Sequence, residues 1–136
     1  MNNGTNLNNK KMKKIISTDN APAAIGPYSQ AIEANGMLFL SGMLPIDPSN
    51  GNIVPGGVKE QTTQIFRNIE AVLTAAGVTM DNIVKTTVFL DDMSLFAEMN
   101  EVYGSCFTGT FPARSAFAVK ALPKNALVEI EVIAVK

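Results

Sequence analysis

Three charged side chains stand in stretches of this sequence that otherwise have the composition of a sheet interior. Arg114 opens the segment 114–122, whose other residues are mostly small or apolar, and Glu129 and Glu131 alternate with apolar residues in the segment 128–135. Successive side chains of a strand point to opposite faces, so both glutamates are expected on one face. Charges among apolar residues are costly unless they are paired or functional, and these three are therefore candidate site residues.

The arginine suggests which chemistry such a site would perform. A guanidinium is a planar fork that binds a carboxylate through two parallel hydrogen bonds. The only other arginine, Arg67, falls in a segment with the pattern of a solvent-facing helix. Spacing alone leaves an alternative open, in which Arg114 is a structural ion-pair partner of Glu129 or Glu131.

The absence of histidine from the sequence narrows the chemistry further. It excludes a Ser-His-Asp or Cys-His nucleophile arrangement and a zinc site built from His and Cys. The sequence also contains no G-x-x-x-x-G-K-[ST] phosphate loop and no G-x-G-x-x-G dinucleotide motif. Acid–base chemistry must then use Asp, Glu, Lys, Tyr or bound water.

Length and composition are those of one globular domain, which we place at residues 12–136. The single cysteine, Cys106, excludes an internal disulfide and favours a reducing compartment, so a cytoplasmic location is expected. No apolar run approaches the roughly 18 residues of a membrane span, and no signal-peptide pattern stands out. We therefore expect no association with a membrane.

Residues 1–11 are rich in Asn, Gly and Lys and are expected to form a disordered tail. Four of the lysines fall within the first fourteen residues, which leaves seven basic and twelve acidic residues in the remainder, a net charge of −5. A body of that charge is a poor partner for a polyanion, so nucleic acid is not expected as a ligand.

The apolar periodicity predicts two helices and six strands. The predicted helices are 58–76 and 93–107, and the predicted strands are 13–18, 28–34, 37–43, 83–90, 114–122 and 127–135. Asn35-Gly36 predicts a hairpin turn, and residues 45–57 are expected to form a loop. The order β-β-β-α-β-α-β-β indicates a two-layer α+β domain. The apolar strands exceed what two helices can cover, which indicates an oligomer.

Five segments in a fixed order carry a resemblance that covers residues 12–136. They are Ala-Pro-Ala-Ala-Ile-Gly-Pro-Tyr-Ser-Gln at 21–30, Leu-Ser-Gly-Met-Leu-Pro at 40–45, Asp-Asn-Ile-Val-Lys-Thr-Thr-Val-Phe-Leu at 81–90, Phe-Pro-Ala-Arg-Ser at 111–115 and Val-Glu-Ile-Glu-Val-Ile-Ala-Val at 128–135. Together they resemble the Rid family (RidA, also called YjgF), the reactive intermediate deaminases. Motifs spread over a whole chain in the right order are far more specific than any one of them.

The resemblance implies a chorismate-mutase-like α+β fold and a homotrimer with clefts between its subunits. It also implies hydrolysis of 2-imino or 2-enamino acids, such as 2-iminobutanoate and 2-iminopropanoate, to 2-keto acids and ammonia. In this family the imines come from pyridoxal-phosphate enzymes such as threonine or serine dehydratase. The family uses no cofactor or metal of its own.

The resemblance also implies roles for individual residues. Arg114 matches the arginine that holds the substrate carboxylate, and Glu129 matches the glutamate that positions or activates the attacking water. Tyr28 matches the tyrosine that closes the pocket beside the imine. Ser41 and Gly42 match a loop whose backbone faces the ligand.

Two further positions bear on the site. Asn100 matches a polar residue near the cleft. Ala116 stands where family members often carry a cysteine; its backbone can still donate a hydrogen bond, so the change bears on thiol-dependent reactivity and not on hydrolysis.

Structural alternatives remain for several of these residues. Tyr28 is alternatively a packing aromatic, Asn100 a solvated helix residue, and Ser41-Gly42 a simple turn. Glu131 is expected to be structural or to lie in an interface, and Cys106 is expected in the core.

Two other functions stay open at this point. One is a trimer that binds small 2-keto acids through Arg114 without turnover, although a pure binder needs no carboxylate beside the ligand. The other is a ribonuclease or translation inhibitor, as some family members are described. The acidic body and the missing histidine argue against that function.

Overall fold

The computed structural model describes residues 12–136, in which two α-helices pack against one face of a six-stranded sheet. The strands lie in the order β1-β2-β3-β8-β6-β7, and only β6 and β7 are parallel neighbours. The expected disordered tail at residues 1–11 lies outside the described residues. The elements are β1 (Lys14–Ile16), β2 (Ala31–Ala34), β3 (Met37–Met43), β4 (Ile46–Asp47), β5 (Asn52–Ile53), α1 (Val58–Ala75), β6 (Ile83–Leu90), α2 (Phe96–Ser105), β7 (Ala113–Ala118) and β8 (Val128–Val135).

The predicted α+β class and the order β-β-β-α-β-α-β-β are confirmed for the main sheet. The hairpin at Asn35-Gly36 is also confirmed, with φ angles of 52° and 75°. Positive φ at both central residues is the requirement of a type I′ turn, which Asn and Gly satisfy at low cost.

Several predicted boundaries are wrong. The expected loop 45–57 contains the small hairpin β4–β5, which is closed by hydrogen bonds from Gly51 and Ser49 to Asp47. The strand expected from residue 28 begins only at Ala31, because the chain bends sharply before it, where the Tyr28 N–H donates a 2.9 Å hydrogen bond to the carbonyl oxygen of Gly26. The strand expected at 114–122 ends at Ala118, where the neighbouring strand β6 also ends.

The helix expected at 93–107 begins with a separate short turn. Residues Met93–Leu95 form a 3₁₀ turn, and the α-helix α2 spans Phe96–Ser105. Asp92 caps this turn by accepting a 2.8 Å hydrogen bond from the backbone N–H of Ser94. Asp92 therefore caps the 3₁₀ turn that precedes α2 and not the α-helix itself.

The core lies between α1 and one face of the sheet. Ile65, Ile69 and Val72 recur along one side of α1 and are completely buried. Every second residue of β8, starting at Val128, is buried against them. Full burial of an aliphatic side chain stabilises a fold by about 1.5–3 kcal/mol, so the apolar contacts between α1 and β8 hold the helix on the sheet.

The opposite face of the sheet carries no helix among residues 12–136. Phe39 and Phe117 are 41% and 44% exposed there, and Glu129 and Glu131 of β8 point to the same side. Both glutamates thus share a face, as predicted. The described part of the chain contains no helix long and apolar enough to cross a membrane.

Candidate active site

Arg114 lies on the edge strand β7 and points to the helix side of the sheet. Its register partner on β6 is Thr86, which is completely buried beneath the helices. Residues paired across neighbouring strands point to the same face, so Arg114 extends along the end of the helical layer. Because β7 is an edge strand, the guanidinium stays exposed to solvent.

Three residues of α2 contact this guanidinium. Arg114 Nη1 donates a 2.7 Å hydrogen bond to Asn100 Oδ1. Arg114 Cζ lies 4.6 Å from the ring centroid of Tyr103 and 5.4 Å from that of Phe96, both within cation–π range. A cleft of about 400 Å³ opens beside these groups, with a lining of Asn100, Tyr103, Gly104, Phe111, Pro112 and Arg114.

Arg114 forms no ion pair with another described residue. Within residues 12–136 the ion pairs join Lys59 to Glu101 and Lys136 to Glu33. The alternative of an ion pair between Arg114 and Glu129 or Glu131 is therefore wrong within one chain. The guanidinium has one hydrogen bond to a neutral amide and keeps further donors for an anion.

Tyr28, Ser41 and Gly42 come together at a second, smaller crevice of about 50 Å³. Tyr28 is 52% exposed, so it is not a packing aromatic of a single chain. Ser41 fixes the loop that carries Tyr28, since Ser41 Oγ donates a 2.7 Å hydrogen bond to the carbonyl oxygen of Ser29. The Ser41 N–H also donates to the carbonyl oxygen of Gln30, at 3.0 Å.

Gln30 also stabilises the loop that contains Tyr28, residues 18–30. Its side chain is only 6% exposed, and its Oε1 accepts a 2.7 Å hydrogen bond from the N–H of Thr18. Its Nε2 donates to the carbonyl oxygens of Thr18 and Pro22, at 3.0 and 2.8 Å. One buried amide thus ties both ends of the loop together, and the loop holds Tyr28 beside Ser41.

Glu129 lies against Gly42 on the open face of the sheet. A Cβ added at Gly42 would overlap Glu129 Oε2 and lie 3.0 Å from its Cδ, so only glycine leaves room for this carboxyl. Burial, and secondly the charge of Glu131, raise the pKa of the Glu129 carboxyl. A carboxylate with a raised pKa is a better proton acceptor, which suits a group that activates water.

Ala116 follows Arg114 on the same side of β7. It pairs with Val88 and is half-buried against the core. The one cysteine offers no substitute thiol, because Cys106 Sγ donates to the carbonyl oxygen of Val102 at 3.3 Å and is half-buried. Burial also raises the pKa of the Cys106 thiol, which disfavours a reactive thiolate.

The two halves of the expected site do not meet within one chain. Arg114 lies on the helix side, whereas Glu129 lies on the open face and pairs with Phe89. Strand β6 separates the strands of the two residues, a distance of roughly 10 Å across the sheet. One small ligand cannot contact both side chains of the same subunit.

Comparisons with known proteins identify the family. Residues 18–136 match the family described as Endoribonuclease L-PSP. A 2-iminobutanoate/2-iminopropanoate deaminase of Mus musculus is 50% identical over 125 residues, which are 92% of this chain and 93% of the relative. The chain belongs to this family, for which Rid is the other name. The resemblance stated from the motifs is thus confirmed.

Solved structures of the Rid family share this fold. A Rid protein from Yersinia pestis superposes with a TM-score of 0.89 at 54% identity, over 91% of this chain and 99% of that one. TdcF of E. coli, solved with bound serine, gives a TM-score of 0.88 at 44% identity, over 91% and 99%. The fold expected from the resemblance is therefore confirmed.

Sequence reasoning missed three residues around this Rid-family site. Phe96 and Tyr103 fall within the predicted helix 93–107 and Gln30 within a matching segment, and none of the three was expected at the site. Their spacing to Arg114 and Tyr28 along the chain gives no sign of contact. The seven-residue separation of Phe96 and Tyr103 does place both on one helix face, which was the available signal.

The described residues do not form a recognisable metal site. Within residues 12–136, no three Cys, Asp or Glu side chains gather as a possible metal site.

Proposed function

We propose that this protein hydrolyses reactive 2-imino acids, such as 2-iminobutanoate and 2-iminopropanoate, to 2-keto acids and ammonia. The observation that carries the proposal is an exposed guanidinium that lies at a cleft and has no carboxylate partner among residues 12–136. A 2-imino acid supplies that carboxylate. The deaminase name of the Mus musculus relative and the serine bound to TdcF, which also has a carboxylate, support this choice.

The reaction needs little beyond positioning. Arg114 binds the carboxylate and fixes the C=N carbon, and Tyr28 closes the pocket beside it. Glu129 accepts a proton from water as the water oxygen adds to the carbon of the protonated C=N group, which gives a neutral tetrahedral carbinolamine. Glu129 returns that proton to the nitrogen and then accepts the hydroxyl proton as the C=O bond forms and the C–N bond breaks. Transfer of this last proton to the departing ammonia gives ammonium and the keto acid and restores the carboxylate. A general base typically adds roughly 10²–10⁴-fold to the rate, and orientation of the reactants adds more.

The proposal requires more than one copy of the chain, because Arg114 and Glu129 occupy opposite faces of the sheet. We place the site between subunits of a homotrimer, with Arg114 from one subunit and Tyr28, Gly42 and Glu129 from its neighbour. The open sheet face, with its exposed aromatic rings, supplies the apolar surface for such an assembly. The backbone of the Ser41-Gly42 loop then faces the ligand, and the backbone of Ala116 can donate a hydrogen bond to it.

A pyridoxal-phosphate dehydratase is the proposed source of substrate, and the cytoplasm is the proposed location. A ribonuclease activity, which the family description names, is not part of the proposal. The chain has no histidine for general acid–base cleavage, and residues 15–136 have a net charge of −5.

The first test measures the lifetime of the imine. Threonine dehydratase generates 2-iminobutanoate while semicarbazide competes for it, so a deaminase lowers the yield of trapped imine. Wild-type protein is expected to do so, and Arg114→Ala is expected to lose at least about 10²-fold, since two charge-assisted hydrogen bonds are removed. Arg67→Ala is the matched control, because Arg67 is the other arginine and lies exposed on α1.

The outcome separates the possible functions. No acceleration by the wild type, together with binding of 2-oxobutanoate that depends on Arg114, would favour a non-catalytic binder. Equal acceleration by wild type and Arg114→Ala would refute the assignment of Arg114.

A subunit-mixing experiment tests the shared site. Arg114→Ala and Glu129→Gln chains are each expected to be inactive alone. Mixed trimers contain some sites that combine an intact Arg114 with an intact Glu129, so co-refolded chains should regain part of the wild-type rate. Absence of any regain, with mixed trimers demonstrated by mass spectrometry, would contradict a site between subunits.

A further inference from the structure

Three residues of α2 form a seat for the guanidinium of Arg114. Asn100 accepts its Nη1 hydrogen bond at 2.7 Å, and the rings of Tyr103 and Phe96 lie 4.6 and 5.4 Å from its Cζ. The three seat residues follow at intervals of four and three positions, so they line one side of the helix. These contacts hold the arginine of an exposed edge strand, and no charged side chain in the described part of the chain pairs with it.

Tyr103 is the best-anchored part of this seat. Its side chain is only 3% exposed, and its hydroxyl shares a 2.7 Å hydrogen bond with Thr86 Oγ1. Its ring also packs edge-on against Phe66, with centroids 5.6 Å apart. Thr86 is at the same time the register partner of Arg114 across β6 and β7. The strand that positions the arginine backbone therefore also fixes the ring beneath the arginine side chain.

The other two contacts have less support. Asn100 is exposed, so its hydrogen bond competes with water. Phe96 is half-buried and its ring lies farther from the guanidinium than that of Tyr103. A cation over a ring is attracted more strongly where water is excluded, which favours the buried tyrosine.

We propose that Tyr103 is a positioning residue that holds Arg114 ready for a ligand carboxylate. This inference rests on the proposed function and adds a residue to it. An arginine side chain has many rotamers, and fixing one of them before binding removes an ordering cost from the binding step. The ring stacks on the guanidinium without using its N–H groups, so the donors not bonded to Asn100 stay available for a carboxylate.

The test compares variants of Tyr103 with a matched variant of its neighbour. Tyr103→Leu removes the ring and Tyr103→Phe keeps it. Phe66→Leu removes a buried aromatic that packs against Tyr103 but makes no cation–π contact with Arg114. Titration calorimetry with 2-oxobutanoate gives the Kd, and the imine assay gives KM and kcat. We expect Tyr103→Leu to raise Kd and KM about tenfold with kcat changed less than about threefold. Tyr103→Phe and Phe66→Leu should stay within about threefold of wild type.

The outcomes distinguish this inference from the proposed function. Equal Kd values for Tyr103→Leu and Phe66→Leu, with a clear loss of binding in Arg114→Ala, would overturn the role of Tyr103 and leave the proposed function standing. Binding of 2-oxobutanoate that is as tight in Arg114→Ala as in wild type would overturn both. If Tyr103→Leu does not fold, Phe96→Leu serves as the second variant, because it removes the other ring beside Arg114 and must raise the Kd for 2-oxobutanoate. An unchanged Kd in Phe96→Leu would refute the proposal that the rings of α2 position Arg114.

Discussion

Gly42→Ala is the substitution for which the structure gives the sharpest expectation. Its added Cβ would overlap Glu129 Oε2 and lie 3.0 Å from Cδ, whereas ordinary contact begins at 3.4 Å. Gly42 is not in the left-handed region of φ, so the backbone itself accepts alanine. The carboxyl must therefore retreat by about 1 Å or more, and it can do so because it is the free end of a flexible side chain.

Stability and activity should respond differently to this retreat. An off-rotamer side chain costs about 0.5–1.5 kcal/mol, so the free energy of unfolding should fall by no more than that. A reacting group displaced by about 1 Å can cost about 10²-fold in rate. We expect Gly42→Ala to keep its melting temperature within a few degrees and to lose about 10²-fold in kcat in the imine assay.

A double-mutant cycle identifies the cause of that loss. Gly109→Ala is the control, because a Cβ there meets no atom within 4 Å and φ is not positive. If Gly42→Ala acts through Glu129, adding it to Glu129→Gln should cause little further loss. Full additivity of the two substitutions would refute the reasoning and place the effect on the Gly42 backbone.

Four further predictions concern pH and stability. The proposed base is ionised Glu129, whose pKa is raised, so kcat should fall as the pH decreases through a pKa above the ordinary glutamate value of about 4.3. Glu131→Gln removes one cause of the raised pKa and should therefore shift this acidic limb of the pH–kcat profile to lower pH. Because the pKa of Glu129 is higher in the folded than in the unfolded protein, the contribution of Glu129 to the free energy of unfolding decreases as the pH rises through the folded-state pKa. Urea titrations at several pH values should show this decrease for the wild type and a smaller one for Glu129→Gln. Asn68→Ala should lower the free energy of unfolding by about 1–3 kcal/mol, because the buried Asn68 amide donates a 2.9 Å hydrogen bond to the carbonyl oxygen of Ile46. A change below about 0.5 kcal/mol in urea unfolding would contradict a stabilising contribution of this hydrogen bond. Gly104→Ala should raise the free energy of unfolding by about 0.5–1 kcal/mol in the same titration, since a Cβ there meets no atom and alanine favours a helix; a loss of stability would show that the site is not open.

The sequence determined those features that depend on neighbouring residues. The alternation of β8 placed Glu129 and Glu131 on one face, and the Asn35-Gly36 pair specified its turn, because strand period and turn chemistry are local properties. The five motifs were sufficient for the family. The boundary near residue 118 was wrong because β7 extends only as far as β6 pairs with it, and β6 is distant in sequence. The boundary near residue 28 was wrong because β2 begins to pair with β1 and β3 only at Ala31.

Only the tertiary structure decided how the site residues are distributed. Strand β8 lies between β3 and β6, an order that no local period encodes, and this order with its register places Arg114 and Glu129 on opposite faces. The same folding brings Tyr103 beneath Arg114 through Thr86. Such contacts join segments far apart in the chain, so they arise from the packing of helices on the sheet and not from the residues that surround each side chain in sequence.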